Sequence, residues 1–173
     1  MDFASLIRTI PDFPKPGILF RDITTLIGDG CAFREAVDAL ACRFADREVD
    51  KVAAIEARGW IFAAPMAYKL KAGFIPIRKP NKLPFSKERC EYELEYGSNS
   101  LEVHTDAVQP GERVLLVDDL LATGGTARAS VDLIERLGGK VVGIGFLVEL
   151  VDLKGREQLA GYDVQSIITF EGA

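Results

Sequence analysis

Apolar positions along the chain follow two rhythms. Short runs without alternation, Val114–Val117 above all, predict strands buried on both faces of a parallel sheet. Segments 51–57 (KVAAIEA), 74–79, 140–148 and 164–170 read the same way. Between them the spacing turns helical. Phe33, Val37, Leu40, Ala41 and Phe44 predict a helix from about Gly30 to Ala45, and a second runs from Gly59 to about Lys71, kinked at Pro65. Ala127, Val131, Ile134 and Leu137 mark a third. At the N-terminus Phe3, Leu6, Ile7 and Ile10 predict a short amphipathic helix over 2–10, stopped by Pro11. Pro14, Pro16 and Gly17 then force an extended passage into Ile18–Thr24. Residues 80–90 have little apolar content and no period, and predict a long mobile loop. It borders a hairpin with strands near 91–96 and 100–105 around Gly97-Ser98-Asn99. Residues 153–159 predict a helical turn or two. Strands alternating with helices give an α/β class with a largely parallel sheet, one domain over 1–173 without repeat or linker.

The chemistry concentrates where predicted strands end. After Val114–Val117 come Asp118 and Asp119, and then Leu120-Leu121-Ala122-Thr123-Gly124-Gly125-Thr126 opens the third helix. The first N–H groups of a helix lack internal partners and carry partial positive charge, so this turn suits an anion. Gly124 and Gly125 permit close backbone approach, and Thr123 and Thr126 offer hydroxyls. The plainer reading is an ordinary strand–turn–helix junction with a threonine cap. Two adjacent carboxylates weigh against it, because they repel unless a metal or sugar hydroxyls satisfy them. The spacing is neither that of a Walker A loop nor that of a dinucleotide fingerprint. Arg58 repeats the logic with a cation, lying between a strand end and Gly59, and Arg78, Lys79 and Lys82 make the following loop basic. Leu19 and Phe20, on the proline-stiffened segment ending in Arg21, read equally well as edge-strand core or as the wall of a flat aromatic ligand. In such sheets, ligands sit beyond the carboxyl ends of the strands. These groups therefore converge there on what a polyanionic sugar phosphate needs.

Composition changes this picture little. At 173 residues, 48% hydrophobic and 27% charged, the chain is an ordinary globular protein, and a net charge of −5 argues against nucleic acid as a partner. Cys31, Cys42 and Cys90 are odd in number, lack metal-ligand spacing and suit a reducing cytoplasmic setting. The single His104 cannot build a histidine metal cluster and reads as an ordinary strand or surface residue. No apolar run approaches the ~18–20 residues of a membrane span, and no signal peptide is evident.

The string VLLVDDLLATGGTA closely resembles the phosphoribosyl-diphosphate motif of the type I phosphoribosyltransferases. PKPGILFRDIT (14–24), EARGWIF (56–62), IRKPNKLP (77–84), LEYGSNSLEVH (94–104) and LVELVDLKGREQL (147–159) extend the likeness over nearly the whole chain, to the adenine-using branch of that family. The resemblance implies a five-stranded core sheet flanked by helices, a small hood (about 1–28) and a flexible catalytic loop (about 80–97). It implies transfer of a 5-phosphoribosyl group from 5-phosphoribosyl 1-diphosphate to adenine, giving AMP and diphosphate, with Mg²⁺ and a homodimer. Ala122–Thr126 would wrap the 5′-phosphate and Asp118 and Asp119 address the ribose hydroxyls. Arg58, Arg78, Lys79 and Lys82 would face the pyrophosphate, Arg78 reaching into a partner's site. Leu19, Phe20, the Arg21 backbone and Leu120 would hold adenine, and Glu95 would move its proton. Another purine or pyrimidine base as substrate, or a purine-sensing regulator on the same fold, are the alternatives; the chain carries no DNA-binding extension. Trp60 and the stretch PFSKERCEYE (84–93) depart from the family pattern.

Overall fold

The computed structural model describes residues 1–93 and 98–172, the side chains of residues 93 and 98 excepted. Its centre is a five-stranded, wholly parallel sheet of β3 (Lys51–Ile55), β4 (Gly73–Ile77), β7 (Arg113–Leu121), β8 (Lys140–Leu150) and β9 (Val164–Phe170), in the order β4-β3-β7-β8-β9. The unbroken apolar runs are explained by cores on both faces. Val52, Ala54, Leu115 and Val117 turn to one core, with α1 (Thr24–Ile27), α2 (Gly30–Cys42) and α3 (Arg58–Leu70) over it. Their neighbours Ala53, Ile55, Val114 and Leu116 turn to the other, covered by α4 (Gly125–Arg136) and the antiparallel hairpin of β5 (Lys87–Glu93) and β6 (Ser98–His104). Phe44, after α2, packs into a groove made by Gly143 and Gly145 of β8; a methyl group on Gly143 would lie 2.6 Å from its ring.

At the amino ends of the central strands, away from the turn before α4, Arg113 binds Asp50 through two guanidinium bonds of 2.9 and 3.0 Å and also pairs with Glu48. That end also carries the exposed Cys42, where α2 stops and the chain turns toward β3.

The N-terminal prediction fails. Residues 4–6 form one 3-10 turn, and Arg8–Pro11 is strand β1, antiparallel to β2 (Leu19–Asp22), with Ile10 opposite Phe20. A nine-residue stripe is too short to nucleate a helix unaided, and Thr9 and Ile10 fit a pleated ribbon better. The loop predicted over 80–90 is also too long. It is irregular only to Ser86, after which Lys87–Glu93 pairs along its whole length with β6. Cys90 opposite Leu101 buries this hairpin's inner face, a signal diluted by the five charged residues of KERCEYE.

Candidate active site

The turn before α4 owes its shape to close packing. Gly124 has φ +87°, a left-handed conformation that glycine adopts freely, and a methyl group there would lie 2.4 Å from the Gly155 carbonyl oxygen. The helix then starts at Gly125 with no side-chain cap, so its first N–H groups are available to a ligand. Ala122, Thr123, Gly124 and Thr126 line a cavity of about 190 Å³ with Asp118, Asp119, Leu120 and Arg58. A second cavity, about 380 Å³, shares Arg58, Asp118, Asp119 and Thr126 as a common wall and adds Glu56, Lys79, Tyr92 and Asn99. The two are adjoining halves of one cleft at the carboxyl ends of β3 and β7.

The acidic pair forms the cleft's floor. Asp119 is 4% exposed, and its Oδ2 lies 3.0 Å from Arg58 Nε. That contact is an ion pair without hydrogen-bond alignment, so Oδ2 remains a buried acceptor with no donor. Asp118 Oδ1 accepts from the Asp119 N–H at 2.9 Å. Burial drives the Asp118 carboxyl well above the usual carboxylate range, and the neighbouring Asp119 charge adds to this. Burial raises Asp119 too, against the opposing pull of Arg58. Gly59 lets α3 start this close: a methyl group there would lie 2.5 Å from Asp118 Oδ1.

The basic loop after β4 is held by a carboxylate to which sequence reasoning assigned no role. Glu56 Oε2 lies 3.0 Å from Arg78 and 3.5 Å from Lys82 Nζ, while Oε1 accepts the Lys79 N–H at 2.7 Å. Burial alone would raise its pKa, but these bonds and the two cations bring the net shift below the ordinary value. Arg78 is thus tied within its own chain, its guanidinium also 5.3 Å from the Trp60 ring centroid.

Most of the anticipated residues meet in this cleft. Arg58, Lys79, Asp118, Asp119, Leu120 and the 122–126 turn surround it, with Arg78 and Lys82 attached through Glu56. Phe20 lies beside it, its ring centroid 5.6 Å from the Arg58 guanidinium and 5.2 Å from Phe13, next to Leu19 in β2. The Arg21 side chain turns away: it binds Thr9 and the Gly172 carbonyl and stacks on Phe170, which leaves only its backbone on the Phe20 side. Glu95 lies outside the described residues. Tyr92 and Asn99 were missed. They are cross-strand partners, and the Tyr92 hydroxyl accepts from Thr126 Oγ1 at 3.3 Å, so the hairpin register brings them beside the turn that opens α4.

Three comparisons place this geometry among known proteins. The model of a family described as "Phosphoribosyl transferase domain" matches residues 32–172. A curated protein of Symbiobacterium thermophilum, an adenine phosphoribosyltransferase, is 58% identical over 98% of this chain and 100% of its own. The crystal structure of adenine phosphoribosyltransferase from Thermoanaerobacter pseudethanolicus superposes with a TM-score of 0.96 at 54% identity, covering 98% of each chain. The Saccharomyces cerevisiae enzyme, complexed with an imino-altritol bisphosphate and adenine, gives 0.90 at 34% identity over 95% of this chain and 96% of that one.

Proposed function

Because the chain belongs to the adenine phosphoribosyltransferases of the phosphoribosyl transferase family, we propose that it transfers the 5-phosphoribosyl group of 5-phosphoribosyl 1-diphosphate to adenine, releasing diphosphate and forming AMP. The observation that carries this reading is the shared wall of the cleft. There the uncapped helix start, with Thr126, stands beside the buried Asp119, the half-buried Asp118 and Arg58.

Each part of that wall suits one part of the sugar diphosphate. The 122–126 turn takes the 5′-phosphate on its N–H groups and threonine hydroxyls. Asp119 Oδ2, lacking a donor, accepts from a ribose hydroxyl, and Asp118 orients beside it. Arg58 and Lys79 reach the pyrophosphate, and so does Lys82, whose 3.5 Å contact with Glu56 is loose enough to exchange for it. Arg78, held by Glu56, adds to the same field. Phe20 stacks on adenine, with Leu19, the Arg21 backbone and Leu120 around the base. As the bond from C1′ to the leaving oxygen stretches, positive character grows on the ribose, as in glycoside cleavage. The carboxylates below stabilise it while the cations hold the departing charge. Glu95 receives or manages the adenine proton.

No three metal-ligating side chains converge among the described residues. Mg²⁺ would therefore be held mainly through the oxygens of the sugar diphosphate, beside the acidic pair. Bound in that way it would supply charge neutralisation at the leaving pyrophosphate. The remaining work is positioning and exclusion of water. A homodimer is supported by the exposed aromatics Tyr68 and Phe74 on α3 and β4. A reducing, cytoplasmic setting is supported by three free thiols.

The test is incubation of the protein with Mg²⁺ and labelled 5-phosphoribosyl 1-diphosphate plus adenine, hypoxanthine or guanine. Adenine should be preferred by at least ~10³-fold in kcat/KM, since a buried acceptor facing the 6-amino group is left unpaired by an oxygen. Comparable efficiencies for hypoxanthine would reject the assignment.

A further inference from the structure

Behind the phosphate turn lies an ion pair that touches none of the cleft. Glu149, on β8, is the residue registered beside Leu121, one position before the turn begins. It is 5% exposed, yet both carboxylate oxygens are engaged. Oε1 accepts Arg156 Nε at 2.6 Å, and Oε2 accepts Arg156 Nη2 at 2.7 Å and Ser166 Oγ at 2.6 Å. The rest of the Arg156 fork donates to the Val164 carbonyl at 2.8 Å. Arg156 is thereby fixed to the ends of two strands in a planar, two-pronged arrangement that lysine cannot reproduce. The Arg156 bonds hold the Glu149 carboxyl below its ordinary range despite its burial.

Arg156 sits on the 3-10 segment Gly155–Leu159, whose first residue is pressed against the phosphate turn. A methyl group on Gly155 would lie 2.2 Å from the Ala122 carbonyl oxygen and 2.8 Å from Leu121 Cδ1; one on Gly124 would lie 2.4 Å from the Gly155 carbonyl. The two backbones are in contact with no side chain between them. A shift of Gly155 is therefore passed to Ala122 and Gly124 undamped.

We infer that Glu149 and Arg156 are positioning residues for the 5′-phosphate: the pair anchors Gly155, and Gly155 sets the backbone of Ala122–Gly124 in the shape that accepts the phosphate. This rests on the assignment of that turn to the phosphate. The pair touches neither the base nor the reacting carbon, so its loss acts on sugar-phosphate affinity and leaves the chemical step alone.

The experiment compares wild type with Arg156→Ala, Arg156→Lys and Glu149→Gln. It reads kcat, the KM of each substrate, the Kd of ribose 5-phosphate by calorimetry, and the thermal melt. In Arg156→Ala, the KM of the sugar diphosphate and the Kd of ribose 5-phosphate should both rise by about 10-fold or more, as misplacement of a binding element by a fraction of an ångström would give. Adenine KM and kcat should stay within ~3-fold, and Arg156→Lys, with the charge but not the fork, should recover only part of the loss. Folded Arg156→Ala and Glu149→Gln proteins with unchanged sugar-phosphate affinity would overturn the inference, as would all kinetic constants falling together. Should Arg156→Ala fail to fold, Arg156→Lys and Glu149→Gln carry the same readouts. Active wild type with insensitive variants sinks this inference alone. Wild type that bound no ribose 5-phosphate would sink the reading of the turn as well.

Discussion

Asp118, half-buried, and Asp119, buried, stand side by side in the cleft floor, and the fold tolerates them at a cost to stability. Burial, and for Asp118 its neighbour's charge, lifts both carboxyls above their unfolded values. The folded state thus holds these protons more tightly than the unfolded chain does. Stability from this source is complete below the unfolded carboxyl pKa, about 3.9, and drains away as pH rises through the folded values. Asp118→Asn should therefore melt above wild type at pH 8, with the gap closing toward pH 4. The same change should cut kcat/KM by at least ~10²-fold, since charge aimed at the developing ribose cation is lost. Melting curves against pH and steady-state kinetics check both; an Asp118→Asn protein melting below wild type at pH 8 would dispose of the buried-charge argument. This pair was legible in the sequence because its residues adjoin each other and the Gly/Thr turn. Glu56 was not, because its partners Arg78 and Lys82 lie more than twenty residues away and meet it only once β3 and β4 pair.

Among the elements, α2 shows how local signals serve the fold without touching the site. Asp29 accepts from the N–H groups of Cys31 and Ala32 at 2.9 and 3.0 Å, and the helix then buries Ala36, Val37, Leu40 and Ala41. Asp29→Ala removes a cap worth about 1 kcal/mol. The melting temperature should drop by roughly 2–4 °C with kcat and KM unchanged. Altered kinetics would mean that α2 is coupled to the cleft. Periodicity read α2, α3 and α4 well, since each carries an apolar stripe more than three turns long. It misread 2–10, where four apolar residues match a helical stripe but tertiary pairing with β2 decides the outcome. It placed β5 late, because Cys90 and Tyr92 are the only apolar members of a charged strand. The cleft residues Tyr92 and Asn99 were lost with that register.

For the whole molecule, the parallel order β4-β3-β7-β8-β9 directs the carboxyl ends of β3 and β7 into one cleft, which is why a sequence read as strands and helices brought its candidate residues to one place. With no cluster of three metal-ligating side chains among the described residues, chelation should abolish turnover yet leave the melt of the substrate-free protein unchanged. A melt lowered by EDTA alone would reveal a structural ion. The opposite end of the sheet, with Arg113 and its acidic partners, has a practical consequence. Cys42 is exposed there, on the far side of the five to six residues of β7 that run from Arg113 to the acidic pair in the cleft floor, roughly 17–20 Å at strand spacing. Once the exposed Cys31 is replaced by Ser, a maleimide dye or a solid support coupled at Cys42 leaves the cleft mouth facing bulk solution. The molecule thus carries its own handle for oriented immobilisation, and catalysis on such a surface would be limited by delivery of substrate rather than by blocked entrances.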